Sequence, residues 1–411
     1  MERSPRVGLV RALAGRLITT MKTPINFAVI GCGALARGQH LPNIVASLRL
    51  KLHTCCDVSE DSLQFCRENY KPVRTTTDYK AAIRDPDVQV VCIATTEKWR
   101  LPLIEEAAAA GKPVYCEKPL AATLKEMYAI RQVVKQSGIP FCVGHNRRAA
   151  PAMVDARRIF HAHMTNPKPC PWRWDREGAN RPKLPEDGAP AVAVRINDDW
   201  YSWKAWVFDK SESAGSPMIW EMTHFTDMCN WFLAREPEEV VAIEAGLLNH
   251  GVVVHYQGHA LATISISDNG TLGYPKELYE FMGNGGIVVV DHMVEVRTAG
   301  IEGAPAKTTY PVIRDRFPAV GTEGGVAGWL AKRRAAAEDA VRHGDNTRVF
   351  CCEPDKGHAA MLERFVDEVF GNGPAVCGVD DAVKATEIGF AALKASHERR
   401  AVKIEEIRQP R

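Results

Sequence analysis

The chain has 411 residues, of which 45% are hydrophobic and 25% charged, and its net charge is +2. This balance is typical of a soluble globular protein and provides no strongly basic surface for nucleic acid. No run approaches the roughly 20 apolar residues that a membrane helix needs, so we expect neither a nucleic-acid partner nor a membrane span. The length predicts two domains.

The amino-terminal twenty residues, MERSPRVGLVRALAGRLITT, carry four arginines and one acid, a composition that could resemble an organelle presequence. They lack the apolar core of a secretion signal. We interpret residues 1–22 as a disordered extension, or as translation from an upstream start. The twelve cysteines show no Cys-x-x-Cys spacing. We therefore expect reduced core cysteines, no metal site and a cytoplasmic protein.

From Met21 to about Gly144, apolar runs of strand length alternate with helical patterns. This alternation predicts an α/β fold with a doubly wound parallel sheet, a Rossmann domain, over residues 23–145. The predicted strands are Ile25–Ile30, Lys51–Cys56, Val88–Thr95, Pro113–Cys116 and Pro140–Val143. The predicted helices include Ser59–Tyr70 and Arg100–Ala110.

The stretch FAVIGCGALARGQHLP follows the first strand and opens a helix with a Gly-x-Gly-x-x-Ala motif. Gly31 allows the tight turn, Gly33 lets a pyrophosphate approach the backbone, and Ala36 lets helix and strand pack closely. The phosphates then lie at the positive end of the helix, beside Ala34 and Leu35. We predict a dinucleotide site at this loop.

Asp57 closes the second strand 24 residues after Gly33, where a carboxylate that binds ribose is expected. The alternative is a turn or helix-capping aspartate, although Ser59 could cap that helix instead. An acid at this point repels a 2′-phosphate and no arginine adjoins it. We therefore expect NAD as the cofactor in preference to NADP.

Residues 146–411 are predicted to form a second α/β domain for substrate binding and oligomerisation, whose carboxyl-terminal helices could pack back on the first domain. The Pro-rich residues 166–190 predict a long irregular loop. From Glu239 to Thr298, longer alternating strands predict a mostly antiparallel sheet with one covered face. One of these strands is predicted over GIVVVDHMVEVRT, residues 286–298. The other face is expected to contact a second subunit, through residues such as Val252, Val254, Ile264 and Ile266.

Two charged residues end a buried strand in VYCEKPLAAT, residues 114–123. This Glu117-Lys118-Pro119 sequence, after AAAAGKPVYC, resembles the AGKHVxxEKPxA signature of the Gfo/Idh/MocA oxidoreductases. The stretches VGHNRRAAP, IWEMTHFTDMCNWFLA and DKGHAAMLERFVDEV support the resemblance. It implies a Rossmann domain, a second domain whose open-faced sheet forms a dimer or tetramer contact, and NAD(P)-dependent chemistry at a hydroxyl of a sugar or cyclitol.

By this resemblance Lys118 lies near the nicotinamide ribose and the substrate hydroxyl, Glu117 lines the cofactor pocket, and His224 transfers the proton. The chemistry agrees, because alcohol oxidation needs a base that titrates near neutrality and a cation beside the developing oxyanion. Glu221, His224 and Asp227 follow at helical steps of three, so Glu221 could orient the imidazole. A surface helix with a paired histidine is the alternative.

Some positions depart from the family pattern. Trp220 stands where many relatives have an aspartate, which leaves the third catalytic residue open. Arg100 replaces a common histidine in IATTEKWR, whereas Thr95 and Thr96 are still expected to line the cofactor. His145 is notable and either packs beside the sheet or contributes to the site.

The resemblance and the sheet edge also suggest substrate contacts. Asn146 and Arg147 follow the last strand of the parallel sheet and are expected to contact substrate, although adjacent arginines are as often a solvated pair. Trp200, Tyr201 and Trp203 are expected to pack in the core rather than stack on a sugar. The KRR run at Lys332–Arg334 is predicted to be the exposed face of a helix.

Three functions remain open from sequence. The first is an NAD-dependent dehydrogenase of a sugar, sugar derivative or cyclitol. The second is a glycoside hydrolase or epimerase that uses transient oxidation and regenerates NAD. The third is a non-catalytic NAD-binding sensor, which would have no need of both Lys118 and His224.

Overall fold

The computed structural model describes residues 24–166, 188–200, 216–350 and 352–408. The amino-terminal extension, most of the Pro-rich loop, Tyr201 and Trp203 lie outside these ranges. The described residues form two compact units. The first contains residues 24–149, 216–223 and 357–386, and the second contains the remainder. The chain thus returns twice to the first unit after the Rossmann sheet is complete.

The elements are numbered along the chain. The strands are β1 Ile25–Ile30, β2 Leu50–Cys56, β3 Arg74–Thr76, β4 Val90–Ile93, β5 Val114–Cys116, β6 Phe141–Val143, β7 Ala191–Asn197, β8 Pro237–Glu244, β9 Asn249–Tyr256, β10 Ala260–Ser267, β11 Glu277–Gly283, β12 Gly286–Asp291, β13 Glu295–Ala299, β14 Lys307–Thr309, β15 Val312–Ile313, β16 Glu353–Pro354 and β17 Val402–Lys403. The helices are α1 Leu41–Ala46, α2 Glu60–Asn69, α3 Tyr79–Arg84, α4 Arg100–Ala109, α5 Leu124–Ser137, α6 Pro151–Thr165, α7 Pro217–Trp220, α8 Thr223–Leu233, α9 Gly325–His343, α10 His358–Val369, α11 Val379–Glu398 and α12 Ile404–Arg408. In the described ranges, no helix combines the length and hydropathy needed to cross a bilayer.

The first unit is built on a six-stranded parallel sheet with the order β3-β2-β1-β4-β5-β6. Helices cover both faces, so the central strands are apolar throughout, and every residue of β4 is buried. The predicted Rossmann fold is confirmed, and the five predicted strands are present with ends shifted by up to two residues. The short edge strand β3 was not predicted, because its three residues are exposed or half-buried and carry no apolar run.

Helix α10 joins the core of the first unit although it lies more than 200 residues after β6. Met361, Leu362 and Phe365 on its buried face belong to the same hydrophobic cluster as the parallel strands. The ring centroids of Tyr115 on β5 and Phe365 lie 6.1 Å apart. The helix therefore supports the sheet beneath the strand that carries Glu117 and Lys118.

The second unit contains a nine-stranded sheet with the order β14-β13-β12-β11-β7-β10-β9-β8-β17. All pairings are antiparallel except β7 with β10, so the mostly antiparallel prediction is confirmed. The sequence analysis missed β7, which lies inside the sheet. It also predicted one strand over residues 286–298, whereas the chain forms the hairpin β12–β13, because His292 and Met293 adopt positive φ angles of 51° and 56°.

One face of this sheet is covered by helices. Phe232 of α8 stacks on Phe281 of β11 with ring centroids 3.5 Å apart, and Phe160 of α6 packs against both rings. The expectation for the other face was wrong in detail. The four residues named for it, Val252, Val254, Ile264 and Ile266, are buried on the covered face. The alternation of β9 and β10 instead exposes their neighbours, such as Val253 and Leu261.

The prediction that the KRR run is the exposed face of a helix was also partly wrong. The run lies on α9, but Lys332 and Arg333 are buried and only Arg334 is exposed. Lys332 donates to Asp315 Oδ2 at 2.7 Å, and Arg333 donates to Glu353 Oε1 at 3.0 Å. Buried cations of this kind need such partners, which sequence spacing does not reveal.

Candidate active site

The glycine loop leaves β1 in a conformation that requires glycine. Gly31 has φ +91° and donates its N–H to Cys56 O at 2.8 Å. A Cβ atom there would lie 2.8 Å from the backbone carbonyl of Ala94. At Gly33 a Cβ atom would meet nothing within 4 Å, because the loop is open on that side.

The start of the following helix is exposed as the dinucleotide prediction requires. Gly33, Ala34 and Leu35 are exposed, whereas Ala36 is buried against the sheet. Residues Ala36–His40 form a π turn that runs directly into α1. The open side of the loop therefore fits a pyrophosphate at a helix amino terminus.

Asp57 lies beside this loop at the end of β2. Its Oδ2 accepts a hydrogen bond from the Cys32 backbone N–H at 2.6 Å, and its Oδ1 accepts from the Ser59 N–H at 2.9 Å. Ser59 is the N-cap of α2, and its Oγ accepts from Ser62 N–H. Asp57 therefore shapes the turn and fixes the glycine loop, and each carboxylate oxygen keeps a lone pair for ribose hydroxyls.

The end of β4 is tied to the end of β5 by Arg100. This buried guanidinium donates to Thr95 O at 3.0 Å and to Lys118 O at 3.3 Å. Thr96 is the N-cap of the short 3₁₀ turn that precedes α4. Arg100, which departs from the family histidine, thus holds the backbone of a predicted cofactor residue and of the predicted catalytic lysine.

Glu117 is buried and is held by the helix of the glycine loop. Its Oε1 lies 2.9 Å from His40 Nε2. Burial alone would raise the pKa of Glu117, but the hydrogen bond and charge of His40, with the charges of His358 and Lys118, lower that pKa to about 2. A Cβ atom at Gly144 would lie 2.8 Å from Glu117 Oε1, so Gly144 leaves space for this carboxylate. Glu117 is therefore an anion that joins the loop to β5.

Lys118 is largely enclosed, with a side chain only 9% exposed. Its Nζ donates to Trp220 O at 3.0 Å, lies 3.3 Å from Glu221 Oε2, and lies 4.5 Å from the Trp220 ring centroid. Burial lowers the pKa of Lys118, while the carboxylates of Glu221 and Glu117 oppose this shift. The arrangement supplies a desolvated ammonium at the carboxyl edge of the sheet.

The two predicted substrate residues lie on a short 3₁₀ turn, Asn146–Ala149, and all four of its residues are buried. The charge of Arg147 contributes to lowering the pKa of Lys118. Arg148 donates to Val376 O at 3.0 Å and lies 3.2 Å from Asp381 Oδ2. The two arginines are therefore not a solvated pair. The charge of Arg147 lowers the pKa of Lys118, and Arg148 holds the turn in place through Val376 and Asp381.

The spacing predicted that Glu221 and His224 share a helix, and this prediction is wrong. Glu221 follows α7 in a turn, and α8 begins at Thr223. Glu221 is bound to Lys118 within the first unit, whereas His224 and Asp227 are buried residues of the second unit. The structure thus brings together the glycine loop, Asp57, Thr95, Glu117, Lys118, Glu221 and Arg147.

Sequence analysis missed two contributors. His40 follows the glycine motif in ARGQHLP, and its position one helical turn beyond Ala36 was the available signal. Trp220 was noted only as a departure, because no local pattern shows that its ring and carbonyl both meet the lysine.

The parallel sheet, the open glycine loop and the carboxylate after β2 define a Rossmann protein of the dinucleotide-binding oxidoreductase class. The model of the family described as "Oxidoreductase family, NAD-binding Rossmann fold", GFO_IDH_MocA, matches residues 25–145. The matched stretch spans the six-stranded parallel sheet and agrees with the resemblance seen in the sequence.

The relatives extend over most of the chain. It is 23% identical to myo-inositol 2-dehydrogenase of Thermotoga maritima over 93% of this chain and 99% of that protein. It is 24% identical to 1,5-anhydro-D-fructose reductase of Ensifer adhaerens over 81% and 84%. The structure of scyllo-inositol dehydrogenase from Lactobacillus casei, with bound NAD(H) and scyllo-inositol, matches with a TM-score of 0.67, 16% identity, and coverage of 93% and 100%. This structural likeness establishes the shared fold.

Proposed function

We propose that the protein is a dehydrogenase that transfers hydride between NAD and a secondary hydroxyl of a sugar, sugar derivative or cyclitol. The observation that carries the proposal is the desolvated Lys118 ammonium, which lies at the same sheet edge as the open glycine loop. The named relatives are inositol and anhydrosugar oxidoreductases, which supports this substrate class. NAD supplies the hydride acceptor when it is bound.

Each residue has a distinct role in this proposal. Lys118 binds the substrate oxygen and stabilises its negative charge as the carbonyl forms. Glu221 keeps the lysine protonated, because its carboxylate raises the pKa that burial lowers. His224 takes the hydroxyl proton, and Asn146 and Arg147 bind further hydroxyls.

A spectrophotometric screen of the purified full chain tests the proposal. Sugars, inositols and anhydrosugars are offered with NAD, and NADH formation is followed against product. We expect NADH and ketone in equal amounts with at least one polyol. Product without net NADH would instead indicate hydrolysis or epimerisation through transient oxidation. NAD binding without turnover of any polyol would indicate a sensor.

Asp57 is proposed to set the preference for NAD over NADP. In Asp57→Asn the amide oxygen can still accept from Cys32 N–H, but the charge that repels a 2′-phosphate is removed. We expect the NAD-to-NADP ratio of kcat/KM to fall roughly 10- to 100-fold, since hydrogen bonds to a charged group contribute about 1.5–3 kcal/mol. Asp61→Asn, an exposed carboxylate in the first turn of α2, is the control. An unchanged ratio in Asp57→Asn would contradict the assignment.

We also propose that the chain forms a homodimer or homotetramer through the open face of the nine-stranded sheet. Its support is the row of exposed apolar side chains Val241, Ile243, Val253 and Leu261 on β8, β9 and β10. Val241 and Val253 are paired across β8 and β9. Val241→Asp/Val253→Asp is expected to shift the sedimentation coefficient to that of a monomer, whereas Val341→Asp, at an exposed position of α9, leaves it unchanged. Equal sedimentation of the two variants would exclude this face.

A further inference from the structure

Three cysteines from three separate elements meet behind the glycine loop. Cys32 lies between the two motif glycines, Cys55 lies on β2, and Cys66 lies on α2. Their Sγ atoms all lie within 4.8 Å of one another, and all three residues are fully buried. The linear sequence gave no sign of this cluster, because residues 32, 55 and 66 share no short metal-ligand spacing.

Three buried cysteine sulfur atoms in one cluster favour a metal ion that prefers sulfur ligands. Thiolates select Cu(I), Zn(II) or iron–sulfur clusters. Structural zinc takes four protein ligands, and iron–sulfur clusters are usually held by four cysteines. Within the described part of the chain, this group offers three sulfur donors. Cu(I) accepts three sulfurs in a plane. With metal–sulfur distances of about 2.3 Å, such sulfurs lie about 4 Å apart, which is compatible with a cluster whose sulfur atoms all lie within 4.8 Å of one another.

The surroundings suit a negatively charged thiolate cluster. The positive charges of Arg37 and Arg67 act on the Cys66 side of the cluster. Arg37 Nε also donates to Cys32 O at 2.8 Å, which fixes its guanidinium beside the loop. Two cations therefore lie near the cluster and would favour the thiolate form of its cysteines.

We propose that Cys32, Cys55 and Cys66 form a three-thiolate binding site for Cu(I). Binding forms three Cu–S bonds and releases the protons of the three thiols to solvent. The bound cluster then carries a net charge of about −2, which Arg37 and Arg67 offset. The ion ties the glycine loop to β2 and α2, so occupancy stabilises the part of the fold that presents the dinucleotide site.

The test uses the reduced full chain under anaerobic conditions, with Cu(I) supplied in the presence of a competing Cu(I) chelator. We expect one Cu(I) retained per chain, a thiolate-to-copper charge-transfer band in the ultraviolet, and an upward shift of the Tm. The triple variant Cys32→Ala/Cys55→Ala/Cys66→Ala should lose all three effects. Cys142→Ala, a buried cysteine on β6 outside the cluster, should keep them.

Retention of equal copper by the triple variant and by Cys142→Ala would overturn the proposal, as would failure of the unaltered chain to retain copper against the chelator. X-ray absorption of the copper-loaded unaltered chain provides a measurement that does not depend on the folding of any variant. Three sulfur neighbours around copper are expected. Two sulfurs, or nitrogen neighbours from histidine, would assign the ion to another place.

Discussion

Replacing Lys118 with methionine is expected to lower kcat/KM for the best polyol of the screen by roughly 10²- to 10⁴-fold, the usual contribution of a positioned proton-transfer or charge-stabilising group. Methionine keeps the length of the side chain but removes the ammonium that contacts Trp220 O and Glu221. The same change leaves the Glu221 carboxylate buried without its cation, which should reduce the free energy of unfolding by about 3–5 kcal/mol. Steady-state kinetics and urea denaturation measure the two effects.

The double variant Lys118→Met/Glu221→Gln separates catalysis from folding. It removes both charges of the pair, so we expect the free energy of unfolding to recover most of its loss while kcat/KM stays low. Recovery of activity together with stability would show that Lys118 acts only through the fold. Such a result would contradict the catalytic role while leaving the polyol screen unaffected.

The pH dependence of kcat/KM tests independently whether the reaction needs Lys118 in its protonated form. Burial lowers the pKa of Lys118 below its usual 10.5, so kcat/KM should decline on the alkaline side as the ammonium loses its proton. Because the Glu221 carboxylate raises this pKa, Glu221→Gln should move the alkaline decline to lower pH. Lys118→Arg should move it to higher pH, since a guanidinium stays protonated. An alkaline limb that is identical in all three proteins would assign it to another group.

The sequence predicted the residues whose roles follow from the backbone of a parallel sheet. Gly31, Gly33, Asp57 and Lys118 lie at carboxyl ends of strands, and strand order alone brings those ends to one edge. A strand pattern and a motif were sufficient for them. The mostly antiparallel second sheet was visible for the same reason, because its exposure alternates along each strand.

The features that were missed depend on contacts between distant parts of the chain. Glu221 meets Lys118, 103 residues earlier, instead of joining the helix of His224. Lys332 and Arg333 can be buried because carboxylates and carbonyl groups from other segments accept hydrogen bonds from them. Helical spacing describes neighbours on one element only, and it carries no information about partners that the tertiary fold supplies.

Replacing the two glycines of the dinucleotide loop with alanine should affect different properties, namely folding stability at Gly31 and NAD affinity at Gly33. At Gly31 the added Cβ would lie 2.8 Å from the Ala94 carbonyl, and φ is +91°. Overpacking costs about 1–3 kcal/mol and the backbone strain roughly 1–2 kcal/mol more. Gly31→Ala should therefore lower the free energy of unfolding by roughly 2–5 kcal/mol, measured by urea denaturation without cofactor.

Gly33→Ala should leave the free energy of unfolding almost unchanged, because its Cβ would meet nothing within 4 Å of the chain. The methyl group would instead occupy the open side of the loop, where the pyrophosphate is expected to approach the backbone. We expect weaker NAD binding in calorimetric titration, with stability retained. Gly38→Ala, which also meets nothing within 4 Å but lies in the π turn beyond the exposed start of the helix, is the matched control. Unaltered NAD affinity in Gly33→Ala would show that the cofactor does not approach this loop. The result for Gly31→Ala cannot show this, because alanine at that position also disturbs the fold. At Gly33 the added methyl group can hinder only the ligand.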